Sequence, residues 1–132
     1  MSNSERRKQG EEKIKDVYAG DVVVPPEGYA FTDIMLETLF AEVWTRDILS
    51  MRDKRILLLG MIAAQGESMT FKIQAKAAIK RGEMTAEEIR ELHIFIAQYC
   101  GYPRAASMLG PMEEAIAEAG KDLAAKERTS ES

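Results

Sequence analysis

The segment Ile56 to Ala64 restricts the possible folds of this chain more than any other. Ile56, Leu57, Leu58, Leu59, Met61, Ile62 and Ala63 are apolar nearly all round a helical projection. A helix without a polar face has to be surrounded by other structure. Ser50 opens it, with Asp53 three positions on as a short-armed capping box, and Gly66 closes it. The run is interrupted by Gly60 and falls well short of the ~20 apolar residues that cross a bilayer. A buried helix that other helices enclose is the expectation.

The flanking pattern supplies those helices. Thr32 followed by Asp33 predicts a helix start, and Ile34, Met35, Leu36, Leu39, Phe40, Val43 and Trp44 form its wide apolar face. A turn follows over Trp44 to Leu49. Ser68 to Arg81 is the next helix, with Ala75, Ala77 and Ala78 permitting close approach and Gly82 as its left-handed cap. Thr85-Ala86-Glu87-Glu88 is a full capping box. It opens a helix whose face is Ile89, Leu92, His93, Ile96, Ala97 and Cys100, with Phe95 and Tyr99 alongside. Gly101 ends it. Pro103 suits the first turn of another helix, which Gly110-Pro111 is expected to interrupt before a last amphipathic helix over Glu113 to Ala125. No long alternating run predicts a strand, and Val22-Val23-Val24 lies too close to Pro25-Pro26 to make one. The fold class expected is all-α, a bundle of about six helices. Residues 1–18 are a charged N-terminal helix or arm, 19–120 the helical domain and 121–132 a polar C-terminal tail, expected to be mobile from Lys126 onward.

Composition narrows the function. Lys and Arg number 18 against 22 Asp and Glu, a net charge of −4, the wrong sign for non-specific nucleic-acid binding. A single cysteine and a single histidine exclude a disulfide framework and a multi-cysteine zinc site, and leave little for a Ser/His/Asp triad. No charged-then-apolar leader opens the sequence, so a cytoplasmic location is expected, with no membrane partner and no cofactor.

The residues able to carry chemistry are few. His93 is the one group that titrates near neutrality and the natural candidate for proton transfer. Cys100 lies two turns away on the same helix, ~10 Å along its axis and too far for a thiol–imidazole hydrogen bond. Both also have plain structural roles, as a core histidine on a carbonyl and a small buried hydrophobe. Gln74 lies among apolar neighbours. If it faces inward it is a cross-link or a pocket residue, because an unsatisfied buried amide costs about 1–3 kcal/mol. Trp44, Tyr99 and Tyr102 are candidate pocket walls. Arg46 and Arg55 are candidate clamps for an acidic substrate.

Three stretches resemble one family. They are Glu42-Val43-Trp44-Thr45-Arg46-Asp47-Ile48-Leu49 leading into Arg52-Asp53-Lys54-Arg55, then Ala77 to Glu91, then Tyr99-Cys100-Gly101-Tyr102-Pro103-Arg104-Ala105. Their order and spacing are similar to the carboxymuconolactone decarboxylase family over about residues 6–112. The resemblance implies an alkylhydroperoxidase D-like helical fold assembled as homotrimers or hexamers. It also implies a lyase acting on a carboxylated lactone in aromatic catabolism. The departures are specific. The family's histidine on the alanine-rich helix is Gln74 here, and a second one falls at Phe95. No cysteine pair stands near Glu67 and Thr70, and Arg104 replaces a small residue. Three readings therefore remain open. The chain is an enzyme with diverged chemistry through His93 and Gln74, a non-catalytic binding or assembly protein, or a thiol peroxidase working through Cys100.

Overall fold

The computed structural model describes residues 3–131. Among them the chain forms six helices and no strand. It divides into two compact units, one ending at Leu49 and one beginning at Ser50.

The N-terminal unit is built on α1 (Asn3–Val17) and α2 (Ala30–Met35). Helix α2 runs on without a break into a wide π-helical segment, Leu36–Val43. Most of α1 is charged, but Ile14 and Val17 near its end are buried, as are Leu36, Phe40, Ala41 and Trp44. Helix α1 packs along the π segment at Gly10, where the backbone of Leu36 leaves no room for a side chain. Arg7 is buried beside them, with Nη1 3.3 Å from the Asp33 carboxylate and Nη2 donating to the Pro25 carbonyl. Thr32 is not the helix cap that its position suggests. The helix begins two residues earlier, and the Thr32 hydroxyl donates to the Tyr29 carbonyl. The Asp33 carboxylate holds the preceding turn instead, accepting from the Gly28 amide at 3.1 Å.

In the C-terminal unit, α3 (Met51–Gln65), α4 (Ser68–Lys80), α5 (Ala86–Cys100) and α6 (Tyr102–Glu131) pack round one apolar cluster. Local signals set their ends. The Ser50 hydroxyl accepts from the Asp53 amide at 3.0 Å. Both halves of the Thr85–Glu88 capping box form, at 3.0 and 3.1 Å. Gly66 and Gly82 take left-handed φ values of 76° and 73°, which a side chain would resist.

Two expectations are corrected by packing. Gly110-Pro111 does not interrupt the last helix, and α6 continues through it to Glu131, taking in the polar segment after Lys121. Proline removes one helical hydrogen bond, to the Ser107 carbonyl, at a cost of ~3 kcal/mol. A buried stripe on both sides of it (Ala105, Met108, Met112, Ala115 and Ala119) holds the helix on course. Ion pairs from α4 reinforce it, Lys72 with Glu114 and Glu118, and Lys76 and Lys80 with Asp122. The second correction concerns α3. Leu59, Ile62 and Ala63 are buried, but Leu57 and Met61 are about half exposed. Within the C-terminal unit, α4, α5 and α6 bury one side of α3 and not the whole of it.

Candidate functional site

Helix α3 buries a charged residue immediately before its apolar run. Arg55 is 0% exposed and Gln74, on α4, is 2% exposed. A buried guanidinium needs a carboxylate and further hydrogen bonds to offset its lost hydration. Glu83 supplies them from the turn that follows Gly82. Arg55 Nε donates to Glu83 Oε1 at 2.8 Å and Nη2 to Oε2 at 3.3 Å, while Nη1 donates to Gln74 Oε1 at 2.5 Å. Arg81 reaches the same carboxylate at 2.7 Å. Arg52 steadies the turn from outside, donating to the Glu83 carbonyl at 3.0 Å and to the Glu88 carboxylate at 2.8 Å. The local sequence makes this possible. The left-handed Gly82 turns the chain back toward α3, and the alanines of α4 let the two helices approach.

This cluster joins two of the expected site residues, Gln74 and Arg55, and adds Glu83. Sequence reasoning had Glu83 only within the Ala77-to-Glu91 stretch that resembles the family. The available signal was Arg55 itself, an arginine adjoining the most apolar helix, which needs an acidic partner if it is buried.

The remaining candidates are distributed. His93 Nε2 lies 2.6 Å from the Ala105 carbonyl. A carbonyl only accepts, so the Nε2–H is the donor of this bond. The bond ties α5 to the first turns of α6. Nearby, the Arg90 guanidinium grips Glu113 through two hydrogen bonds and holds its carboxyl below the usual range, with a smaller contribution from His93. Cys100 is half-buried against the apolar cluster and its thiol forms no disulfide. Tyr99 and Tyr102 are exposed. The Tyr99 ring packs against Phe95 with centroids 5.4 Å apart, and Gln98 donates to the Tyr102 hydroxyl at 2.9 Å. Arg104 donates to the Ala64 carbonyl at the end of α3, so the long side chain in place of a small one closes a helix terminus. Trp44, buried, and Arg46, exposed, belong to the N-terminal unit. Among the described residues no three His, Cys, Asp or Glu side chains gather as a metal-holding group, and no helix is long and apolar enough to cross a membrane.

The chemistry open to the cluster follows from its groups. Arg55 and Gln74 can orient and donate hydrogen bonds, but neither exchanges protons near neutrality.

Comparison with known proteins gives the following. The carboxymuconolactone decarboxylase family matches residues 29–114. Nitrosuccinic acid decarboxylase npaB of Metarhizium robertsii is 32% identical over 71 residues, which is 54% of this chain and 49% of the relative. The chain thus spans about half the length of the curated relative it matches. No solved structure matches.

Proposed function

The chain belongs to the carboxymuconolactone decarboxylase family, and on that premise we propose that it acts on a small carboxylate bearing an electron-withdrawing group next to the carbon that loses CO2. The carboxyl–carbon bond breaks and CO2 departs. The electron pair left behind spreads into the neighbouring carbonyl or nitro group. Water then returns a proton to carbon. Such a substrate contains its own electron sink, so the protein has to supply hydrogen bonds to the developing oxygen charge rather than an acid–base pair.

The buried Glu83–Arg55–Gln74 cluster is the observation that carries this reading. It puts a fixed cation and an amide inside an apolar unit, at a position where the family resemblance expects a histidine. His93 acts in this reading as a clamp between α5 and α6, since its Nε2–H donates to the Ala105 carbonyl. The similarity to a nitrosuccinic acid decarboxylase supports a compact dicarboxylate as the first substrate to try. The test is release of CO2 from nitrosuccinate and from a carboxylated lactone by purified protein, against a Gln74→Met control. Turnover of either above the control sustains the reading, and none on both ends it.

A second reading, a binding or assembly protein without chemistry, draws on the surface of α5. Phe95 stands where a family histidine is expected and is 66% exposed, with Ile94 and Tyr99 exposed beside it. A patch of this kind fits a further copy of the chain, in keeping with the trimer or hexamer that the resemblance implies.

A further inference from the structure

The segment Leu36–Val43 carries two apolar faces and buries one of them. An α turn brings i, i+3, i+4 and i+7 together. Counted from Leu36, that stripe is Leu36, Leu39, Phe40 and Val43. A π turn is wider, because its hydrogen bonds run i→i+5. It brings together i, i+4, i+5 and i+8, which are Leu36, Phe40, Ala41 and Trp44. The structure buries this second set and leaves Leu39 41% and Val43 53% exposed. Trp44 keeps the wide spacing, its amide donating to the Leu39 carbonyl five residues back at 2.9 Å. π-Helices occur mostly as single turns, so a longer one needs outside support. Helix α1 gives it at three points. Gly10 rests on the Leu36 backbone, the Tyr18 ring lies 6.1 Å from that of Phe40, and Arg6 Nη1 is 2.9 Å from the Glu42 carboxylate. Leu36 and Glu42 are held at the same time. With Leu36 kept on Gly10, an α register would swing Glu42 from one flank of the helix to the other, away from Arg6.

From this geometry we propose that Leu36–Val43 is a two-register switch that α1 latches. Latched, the segment is π-helical, and Ala41 and Trp44 face inward. Released, it tightens into an α-helix, which turns Leu39 and Val43 inward and Ala41 and Trp44 out. Each register buries one apolar pair and exposes the other. Leucine plus valine fill about the same space as alanine plus tryptophan, so a modest contact decides between the two states. The latch is shallow. The Arg6 and Glu42 side chains are 36% and 53% exposed, an ion pair of the kind that solvent and salt weaken. Trp44 is one of the candidate pocket walls, and the register decides whether its ring lies inside the N-terminal unit or on its surface.

The experiment uses the full-length chain, whose single tryptophan reports its own register. Arg6→Glu sets like charges against each other at the latch and leaves the buried residues alone. Its Trp44 emission should shift to the red and be quenched several-fold more readily by acrylamide than in the parent, with helical circular dichroism kept. Ala41→Glu acts on the segment itself. It opposes the π register, where position 41 is 7% exposed, and suits the α register, where that position meets water. Trp44 should again become exposed with the helix retained. Deletion of Thr38, an exposed residue of the segment, is the lock. With one residue fewer, Leu36, Phe40, Ala41 and Trp44 fall at α spacing. Trp44 should then stay shielded, both in the deletion alone and in the deletion combined with Arg6→Glu. Three results overturn the switch. One is a Trp44 as shielded in Arg6→Glu and Ala41→Glu as in the parent. Another is equal exposure of Trp44 in Arg6→Glu with and without Thr38. The third is a helical signal in Arg6→Glu that falls in step with Trp44 exposure, which is unfolding of the unit and not a change of register.

Discussion

Gly10 of α1 lies directly on the carbonyl of Leu36, so closely that a Cβ at position 10 would stand 1.9 Å from that oxygen. The backbone of the π-helical segment, not a side chain, is the obstacle, and it cannot swing aside. Gly10→Ala is therefore expected to destabilise the N-terminal unit by about 1–3 kcal/mol, although the same change inside an open helix stabilises. Gly120→Ala, in α6 with nothing within 4 Å of the new methyl, is the matched control and should gain about 0.5–1 kcal/mol. Urea unfolding followed by helical circular dichroism should show opposite signs.

The buried ion pair predicts an asymmetric pair of mutants. Glu83→Gln leaves the Arg55 guanidinium buried without a counter-charge and should cost about 3–5 kcal/mol. Arg55→Met leaves Glu83 paired with Arg81 and should cost less. The double variant should be more stable than Glu83→Gln alone. Equal losses for the two single variants, adding in the double, would show that the partners act independently.

His93 separates clamp from catalyst. Its bond to the Ala105 carbonyl is worth about 0.5–1.5 kcal/mol, so His93→Ala should lower the unfolding free energy by that amount. On the reading above, kcat on an accepted substrate changes by less than about tenfold. A fall of ~10²–10⁴-fold would assign His93 the proton-transfer role instead.

Acid should loosen the C-terminal unit at its surface. Hydrogen bonding to the Thr85 amide and then Arg52 holds Glu88 below the usual carboxylate range. Arg90 does the same for Glu113, and Lys80 and then Lys76 for Asp122. A depressed folded value contributes stability above the unfolded value and loses it as pH falls through the folded one. Stability is thus expected to be level above about pH 5 and to decline progressively below pH 4. At the alkaline end, Lys72 is raised by Glu114 and then Glu118, so its contribution is present below the unfolded value and lost as pH rises through the folded one. Urea midpoints across pH test both limbs. High salt should flatten them, because these pairs face solvent.

The exposed rings of Phe95 and Tyr99 predict self-association. Light scattering should give a multiple of the 14.8 kDa chain mass, and Phe95→Glu should reduce it. A monomer at tens of micromolar would leave that surface for a different partner.

Local chemistry determined the helix ends. Thr85 and Glu88, Ser50 and Asp53, and glycines 66, 82 and 101 act within a few residues of themselves, so they are legible without knowing what packs where. The pattern of apolar residues likewise determined an all-helical chain. Tertiary structure alone decided where packing overruled those rules. It carried α6 straight through Pro111, because a buried stripe and ion pairs from α4 outweigh one lost hydrogen bond. It opened α2 into a π segment against Gly10. It also chose Glu83 as the partner of Arg55, nearly thirty residues away, because a buried charge is matched by whatever acid the fold brings within reach, and sequence distance has no bearing on that.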